Sequence, residues 1–281
     1  MLPVLADPGT LPNLWSGFAL SEDQVAAFQR DGHVTLRGLL SAEEVAAYRP
    51  QIRDATFKKN TETRPLAERD TYGKAFLQTL NLRRHHPGVM RFVTSRRLGR
   101  VAAGLMGVDA VRVYHDQSLF KEPGEGANVT PWHQDQYYWP FREPTMIGMW
   151  MPLVDVEPEM GGMLYASGSH RLGFLGQHEI SDDSQLVYDG LIREQELVIA
   201  TTAPMKAGDA CFHAGWTLHG AGANATDKLR EAMIVTWFAD GMRVAPPVNR
   251  HQENDRLRFL AGREPGELAD SERNPLVYSR A

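Results

Sequence analysis

Seven short runs of strand-forming residues follow one another between residues 110 and 239, with glycine and proline turns between them. This spacing limits the fold more than any other feature of the chain. Many short strands separated by turns are typical of a β-sandwich or a β-barrel. We place the strands at residues 110–115, 117–121, 145–154, 163–166, 196–200, 210–213 and 231–239.

Helical patterns precede these strands. Ser21 and Ser41 each begin a capping pattern with acidic residues in the first turn, and apolar residues follow at helical spacing. Residues 33–36 alternate like a strand, and residues 89–106 form a further helical pattern that ends at Gly107. Helices first and strands afterwards predict an α+β protein, mainly β, in which the helices brace one face of the sheet.

The length of 281 residues fits one large domain, and the content of hydrophobic residues (42%) and charged residues (23%) is close to the average for globular proteins. We expect an irregular N-terminal arm over residues 1–20, where proline and glycine are frequent. A single domain then spans residues 21–245. A polar and charged C-terminal arm of the same domain spans residues 246–281.

Charge, cysteine content and hydropathy narrow the classes of function. The formal net charge of −5 gives no general attraction to nucleic acid or to an anionic membrane. The chain lacks the run of about 18 apolar residues that a membrane span needs, and residues 1–20 lack the pattern of a signal peptide. Cys211 is the only cysteine, which excludes an intrachain disulfide and suits a reducing compartment. We therefore expect a cytoplasmic protein that acts on a small molecule.

The first segment that indicates a chemical function is Trp-His-Gln-Asp-Gln at residues 132–136. Side chains two residues apart on a strand point the same way, so His133 and Asp135 would converge on one point. Alone, the pair is also typical of a solvated hydrogen bond. His219, about 85 residues downstream, changes this interpretation. Two imidazoles and one carboxylate form a facial set that leaves three positions open on a ferrous ion.

Arg230 follows His219 by eleven residues and begins an apolar strand. Its planar and permanently charged guanidinium could hold the far carboxylate of a keto acid that binds such a metal. The alternative is an ordinary surface ion pair with Glu231 or Asp227.

These motifs resemble the phytanoyl-CoA dioxygenase-like family of iron(II)- and 2-oxoglutarate-dependent oxygenases. The resemblance covers most of the chain and implies a double-stranded β-helix, or jelly roll, with the N-terminal helices packed on its major sheet. The motifs are Lys-Glu-Pro-Gly at 121–124, Trp-His-Gln-Asp at 132–135, Gly-Gly-Met at 161–163, Gly-Ser-His-Arg at 168–171, Ala-Gly-Asp at 207–209, and His219 with Arg230.

The resemblance also implies which residues serve each part of the reaction. Iron(II) would bind His133, Asp135 and His219, and Arg230 would anchor 2-oxoglutarate. Together with O₂, the co-substrate would yield succinate and CO₂ while a small organic substrate is oxidised. Further contacts to the co-substrate are implied for Trp150, Gln117 and Lys121, with a core aromatic as the alternative for the first and a solvated strand edge for the other two.

Two details bear on the reaction. Relatives commonly place a serine two residues after the distal histidine, where it binds the co-substrate, but this chain has Ala221. The lost hydrogen bond costs about 0.5–1.5 kcal/mol, and Thr202 or Thr217 could compensate. Asp135 is a carboxylate where halogenases of the family have a small residue, so we expect hydroxylation or a related oxidation. Epimerisation, desaturation and ring closure stay open.

Aromatic residues near the metal motifs favour a bulky apolar or ring-containing substrate, although they could equally form the barrel core. An acyl-CoA would need a basic groove, and we favour a small secondary metabolite instead. The aromatic residues are Trp132, Tyr137, Tyr138, Trp139, Phe141 and Trp216, and the arginines available for a groove are Arg83, Arg84, Arg96, Arg97 and Arg100.

Two other classes of protein remain as alternatives. A cupin-like metalloenzyme that does not use 2-oxoglutarate would share the jelly roll and the metal ligands, but it would not need Arg230. A non-catalytic binding jelly roll would not need the ligands at all. We expect the remaining histidines of the strand region to be structural or to face the substrate; they are His115, His170, His178 and His213.

Overall fold

The computed structural model of the protein describes residues 5–123 and 129–280. Residues 1–4 and 281 of the two predicted arms, and Gly124 of the Lys-Glu-Pro-Gly motif, lie outside the described residues. The α-helices in the described part are α1 (Glu22–Asp31), α2 (Ala42–Lys59), α3 (Thr71–Ala75), α4 (Pro87–Val93), α5 (Arg96–Met106), α6 (Asp182–Glu194) and α7 (Arg250–Phe259). The strands are β1 (His33–Leu36), β2 (Leu77–Leu80), β3 (Ala110–Phe120), β4 (Thr130–His133), β5 (Met146–Pro152), β6 (Met163–Ala166), β7 (Ile199–Thr201), β8 (Ala210–Ala214), β9 (His219–Ala221), β10 (Ala232–Ala239) and β11 (Leu276–Ser279).

The described strands form two antiparallel sheets. The larger sheet has the order β1-β8-β5-β10-β3-β11, with β2 also paired to β3, and the smaller sheet has the order β4-β9-β6-β7. A cavity between the sheets is lined by residues of both, including Trp150 and Ile234 of the larger sheet and His133 and Met163 of the smaller one. Two antiparallel sheets that enclose a cavity agree with the predicted jelly roll.

The N-terminal helices cover one face of the larger sheet. Met149 and Met151 of β5 belong to the apolar core that includes Phe92 of α4 and Leu98 of α5. Trp150 lies between the two methionines in sequence and belongs to a separate core cluster on the cavity side. This alternation with period two separates the helix-packed face from the face that lines the cavity. The prediction that helices brace the sheet is therefore confirmed.

The predicted helix over residues 89–106 is two helices, α4 and α5. The backbone leaves the helical conformation at Ser95 (φ −66°, ψ 134°), which is the N-cap of α5. The Thr94 hydroxyl donates a 2.8 Å hydrogen bond to the Met90 carbonyl. The Thr94 backbone N–H donates to the same carbonyl at 3.0 Å, and the helix ends one residue later, where the Ser95 N–H donates to the Phe92 carbonyl at 3.1 Å.

The two strands predicted at 110–115 and 117–121 are one strand, β3. Asp116, between them, does not make a turn. It is fully buried, and its carboxylate accepts hydrogen bonds from the Arg83 guanidinium at 2.6 Å and from the Arg83 backbone N–H at 3.1 Å. A paired carboxylate can lie inside a sheet, whereas an unpaired one would not.

No described helix combines the length and the apolar character that a membrane crossing requires.

Candidate active site

Two histidines and an aspartate from neighbouring segments of the smaller sheet converge at one point. His133 ends β4 and His219 begins β9, and the two are direct partners in the antiparallel register, with ring centres 4.1 Å apart. Oδ1 of Asp135 lies 3.6 Å from Nε2 of His133 and 3.8 Å from Nε2 of His219. The three ligand atoms lie within 4.8 Å of one another. Such a group can hold one metal ion.

The segment that begins at His219 is rich in glycine and alanine, and it forms strand β9. A side chain at Gly220 would place Cβ 2.7 Å from the Thr130 carbonyl oxygen of β4. Glycine therefore allows β9 to lie close to β4, which brings His219 opposite His133.

Backbone carbonyls orient both imidazoles. Nδ1 of His133 lies 2.8 Å from the Pro131 carbonyl oxygen, and Nδ1 of His219 lies 2.9 Å from the Thr217 carbonyl oxygen. A carbonyl oxygen only accepts, so each Nδ1 carries the proton and each Nε2 keeps its lone pair. Burial lowers the pKa of both imidazoles and keeps them neutral, which is the form that binds a metal.

Asp135 supplies the negative charge of the group. Burial opposes ionisation of this carboxyl, but His219, His213 and His133 outweigh burial and hold its pKa below the ordinary range. Nε2 of His213, on β8, lies 3.2 Å from Oδ2 of Asp135. A side chain at Gly148, the register partner of His213 on β5, would place Cβ 2.9 Å from that same nitrogen. Glycine at this position leaves room for the ring that contacts Asp135.

Arg230 and Trp150 are buried beside the cavity. The two are each 1% exposed, and the guanidinium carbon of Arg230 lies 5.2 Å from the centre of the Trp150 ring. Nη1 of Arg230 donates to the Gly161 carbonyl. Nε of Arg230 and Nε1 of Trp150 have no hydrogen-bond partner within the described part of the chain. Two buried donors without acceptors fit a carboxylate that arrives with a ligand.

The alternative for Arg230, a surface ion pair with Glu231 or Asp227, is wrong. Glu231 pairs with Arg49 at 2.7 Å and with Arg53. Among the residues that the structure describes, no carboxylate lies within 4.0 Å of the Arg230 guanidinium. Burial lowers the pKa of Arg230 to about 9. A buried cation without a counter-charge favours an incoming anion.

Gln117 and Lys121, the other two residues expected to contact the co-substrate, differ in their positions relative to the cavity. Gln117 lines the cavity, and its side-chain oxygen accepts a hydrogen bond from Gln78 at 2.5 Å. Lys121 is fully buried but is not part of the cavity wall; its Nζ lies 3.4 Å from the Thr130 hydroxyl. Burial, followed by the charge of Arg230, lowers the pKa of Lys121 to about 6.

The hydroxyl groups that could compensate for Ala221 are engaged elsewhere. Thr202 accepts from the Met163 backbone N–H at 3.1 Å, and the Thr217 hydroxyl donates to the Gly32 carbonyl at 2.7 Å. Sequence reasoning missed Thr130, which is the register partner of Ala221 and lines the cavity beside it. The pairing of Thr130 with Ala221 across the two strands identifies it, and the sequence alone does not show this pairing.

The cavity above the metal-ligand group has a volume of about 530 Å³. Its outer wall includes Asp255, Arg258 and Phe259 of the C-terminal region, whose contribution to the site sequence reasoning missed. Of the six aromatic residues expected near the metal, Tyr138 and Trp139 line the cavity. The others pack elsewhere: for example, Nε1 of Trp132 donates to Asp189 of α6 at 3.0 Å.

The four histidines that were expected to be structural or to face the substrate differ in their surroundings. His115 lines the cavity, whereas His170 lies 3.3 Å from the Gln29 carbonyl and His178 packs edge-on against Tyr188. His213 lines the cavity and contacts a predicted metal ligand, a role that the expectation of a structural or substrate-facing residue did not include.

Residues 28–232 match the family model described as phytanoyl-CoA dioxygenase. The chain belongs to the phytanoyl-CoA dioxygenase family. The match includes all three members of the metal-ligand group and Arg230. Family membership confirms the expectation of an oxidoreductase of the dioxygenase class over the alternative of a non-catalytic jelly roll.

Individual relatives of this dioxygenase cover almost the whole chain. The ectoine dioxygenase of Sphingopyxis alaskensis is 27% identical over 282 aligned residues, which cover 94% of this chain and 90% of the relative. The α-ketoglutarate-dependent carbocyclase SnoK from nogalamycin biosynthesis is similar in structure, with a TM-score of 0.75, 25% identity and coverage of 98% and 99% of the two chains. The epimerase SnoN, solved with Fe³⁺, α-ketoglutarate and nogalamycin RO, has a TM-score of 0.75, 26% identity and coverage of 96% and 100%.

Proposed function

We propose that this dioxygenase uses iron(II), 2-oxoglutarate and O₂ to oxidise a small organic substrate, with release of succinate and CO₂. His133, Asp135 and His219 hold the iron in this proposal, and Arg230 holds the co-substrate. The observation that carries it is the convergence of three ligand atoms within 4.8 Å of one another, in a cavity whose wall includes a buried guanidinium that pairs with no carboxylate of the described residues.

The donor set fits ferrous iron. Two neutral imidazoles and one carboxylate occupy three positions and leave the others for co-substrate and O₂. When bound, iron(II) supplies the redox chemistry that couples decarboxylation of the keto acid to oxidation of the substrate. The chain keeps the imidazole lone pairs oriented through the carbonyls of Pro131 and Thr217, and it buries both imidazoles.

In this proposal, polar side chains that are largely shielded from solvent form the co-substrate site. The Arg230 guanidinium and the Trp150 indole N–H would donate to the far carboxylate, and the Lys121 amine behind Thr130 would orient the Thr130 hydroxyl. Thr130 would supply the hydroxyl that relatives commonly place at the position of Ala221. Gln117, held by Gln78, would contact the co-substrate or the substrate. A cupin-like enzyme that does not use 2-oxoglutarate would not need a buried cation at position 230.

A small metabolite fits this cavity better than an acyl-CoA. A volume of about 530 Å³ is typical of a small-molecule site. Two of the arginines that a nucleotide groove would need are buried and paired, Arg83 with Asp116 at 2.6 Å and Arg97 with Glu44 at 2.7 Å. The carboxylate of Asp135 favours hydroxylation or a related oxidation. Epimerisation and ring closure stay open as alternatives, because relatives with similar structures catalyse these reactions.

Anaerobic addition of iron(II) and 2-oxoglutarate tests the proposal. We expect a weak metal-to-ligand charge-transfer band in the visible spectrum of the native chain, and its loss in His219→Ala and in Arg230→Ala. Substitution of the exposed residues His85→Ala and Arg142→Ala controls for loss of an imidazole or a guanidinium elsewhere. A native chain that forms no band, or variants at 219 and 230 that keep it, would contradict the proposal.

A further inference from the structure

The outer part of the cavity contains a carboxyl group that the proposed chemistry does not use. Asp255 of α7 lines the cavity, and its carboxylate accepts a 3.0 Å hydrogen bond from the Tyr114 hydroxyl. Within residues 5–123 and 129–280, no cationic group lies within 4.0 Å of this carboxylate. Burial raises the pKa of Asp255 to about 8. A carboxylate in such surroundings is costly unless a cation reaches it.

The other carboxylates of the cavity wall already have partners. Asp70 is the N-cap of α3 and accepts from the Gly73 backbone N–H at 2.8 Å. Glu179 pairs with Arg250 at 2.9 Å and with His251 at 2.7 Å. Asp135 belongs to the metal-ligand group. Asp255 is therefore the carboxylate in the wall that is best able to accept a positive charge from a ligand.

His115, on β3 next to Tyr114, provides an independent second observation. It is 6% exposed and lines the cavity, and its Nδ1 has no hydrogen-bond partner among the described residues. Burial lowers the pKa of His115 to about 3, so the ring is neutral and keeps one acceptor nitrogen. The ring centre lies 4.8 Å from that of Phe259 of α7. An unpartnered buried imidazole at a cavity wall indicates a polar group supplied by a ligand.

Aromatic rings surround this part of the cavity. Phe76 and Tyr72 contact each other edge-to-face at 4.9 Å, and both line the wall together with Tyr138 and Phe259. Aromatic faces attract cations and pack against the ring systems of ligands. The nearby cation, Arg258, lies over the Phe259 ring with its guanidinium carbon 5.7 Å from the ring centre, and it forms no ion pair with Asp255.

We propose that Asp255 and His115 form a subsite for a protonated amine, and that the substrate of this dioxygenase is a ring-bearing amine. The ammonium would be the cation that Asp255 lacks, and one of its N–H groups would donate to the free acceptor of His115. The rings of Phe76, Tyr72 and Phe259 would pack against the apolar part of the substrate. The inference rests on the proposed function, because it assigns the class of substrate that the same cavity receives.

Two nearly isosteric probes test the subsite. Naphthylethylamine carries the ammonium, and naphthylethanol replaces it with a hydroxyl group. Each is titrated by calorimetry, under anaerobic conditions, into the protein loaded with iron(II) and 2-oxoglutarate. A charge-assisted hydrogen bond exceeds a neutral one by roughly 1–1.5 kcal/mol, so we expect the amine to bind about tenfold more tightly than the alcohol.

Asp255→Asn removes the charge but keeps an oxygen that can accept from Tyr114. We expect this variant to bind amine and alcohol equally, whereas Asp183→Asn, an exposed aspartate away from the cavity, keeps the preference of the native chain. His115→Phe should weaken amine binding and leave alcohol binding less affected. The inference is overturned if the native chain does not prefer the amine, if neither probe binds, or if Asp255→Asn retains the preference.

The same samples separate this inference from the proposed function. The charge-transfer band, recorded before any probe is added, reports on iron and 2-oxoglutarate alone. A band without an amine preference would contradict the subsite but not the dioxygenase. An amine preference without a band would support the subsite and contradict the assigned metal and co-substrate.

Discussion

Nε2 of His213 lies 3.2 Å from Oδ2 of Asp135, whereas the Nε2 atoms of His133 and His219 approach the other carboxylate oxygen, Oδ1. Nδ1 of His213 lies 3.3 Å from the Tyr165 hydroxyl. A neutral imidazole has one donor and one acceptor, so Nε2–H can donate to Asp135 while Tyr165 donates to Nδ1. One oxygen of the carboxylate is thus held, and the other is left for a metal.

Replacement of His213 should weaken metal binding without removing a ligand. Loss of a hydrogen-bond partner behind a metal ligand typically costs 10–100-fold in affinity, so we expect His213→Ala to bind iron(II) about tenfold or more weakly in an anaerobic titration. His213→Gln, which can still donate to Asp135, should recover part of the loss. Equal iron affinity in the native chain and in His213→Ala would show that the contact has no such role.

Arg230 should control the affinity for 2-oxoglutarate. Removal of one partner of a buried charged pair costs about 2–5 kcal/mol, and 2 kcal/mol corresponds to about 30-fold. We therefore expect Arg230→Ala to raise the KM for 2-oxoglutarate at least about 30-fold in a succinate-release assay. Arg230→Lys keeps the charge but loses the planar fork, and its KM should lie between the two. An unchanged KM in Arg230→Ala would exclude this guanidinium from the co-substrate site.

Thr130 and Ala221 allow a complementary test. Thr130→Val removes the hydroxyl at nearly constant volume, and we expect the KM for 2-oxoglutarate to rise about 2–10-fold, the effect of one hydrogen bond of about 0.5–1.5 kcal/mol. Ala221→Ser should lower the KM in the Thr130→Val background, because the two positions are cross-strand partners. If Thr130→Val has the KM of the native chain, the hydroxyl does not replace the missing serine.

Asp255 should make the stability of the ligand-free protein depend on pH. Burial, opposed by the Tyr114 hydrogen bond and Arg258 and assisted by Asp135, raises its pKa from 3.8 to about 8. Between these values the unfolded chain has released a proton that the folded chain retains, so this group lowers stability progressively as pH rises from about 4 to about 8. It contributes no such loss below the lower value.

We therefore expect Asp255→Asn to have a higher Tm than the native chain, by a margin that grows between pH 5 and pH 8. Thermal unfolding across this range measures the margin, with Asp183→Asn as the exposed control. A margin that is constant with pH would mean that the carboxyl ionises at its ordinary pKa in the folded protein.

The sequence was sufficient to predict the fold and the grouping of the main site residues. His133 and Asp135 are two residues apart, and His219 and Arg230 have the spacing of a known family, so their convergence could be expected. Many of the strands and the N-terminal helices followed from periodicity and capping, whereas β4, β9 and β11 were not predicted. The break at Thr94 and Ser95 did not follow from the sequence, because the helical spacing of the apolar residues continues across it.

The residues that sequence reasoning missed depend on contacts between distant segments. Thr130 lies in the cavity opposite Ala221 because β4 pairs with β9. His213 reaches Asp135 because its partner across the sheet is Gly148. Asp255 lies on a helix whose sequence is polar and charged, and tertiary contacts such as the packing of Phe259 against Tyr114 bring that helix to the cavity. Strand register and helix docking are tertiary properties that periodicity does not encode.

The central claim is that the side chains at 133, 135 and 219 bind one ion together. A crystal structure from anaerobic crystals grown with iron(II) and 2-oxoglutarate, with anomalous diffraction at the iron edge, tests it most directly. We predict a single strong anomalous peak bonded to Nε2 of His133, a carboxylate oxygen of Asp135 and Nε2 of His219. A peak elsewhere, or a site in which one of these three residues does not contact the ion, would contradict the account.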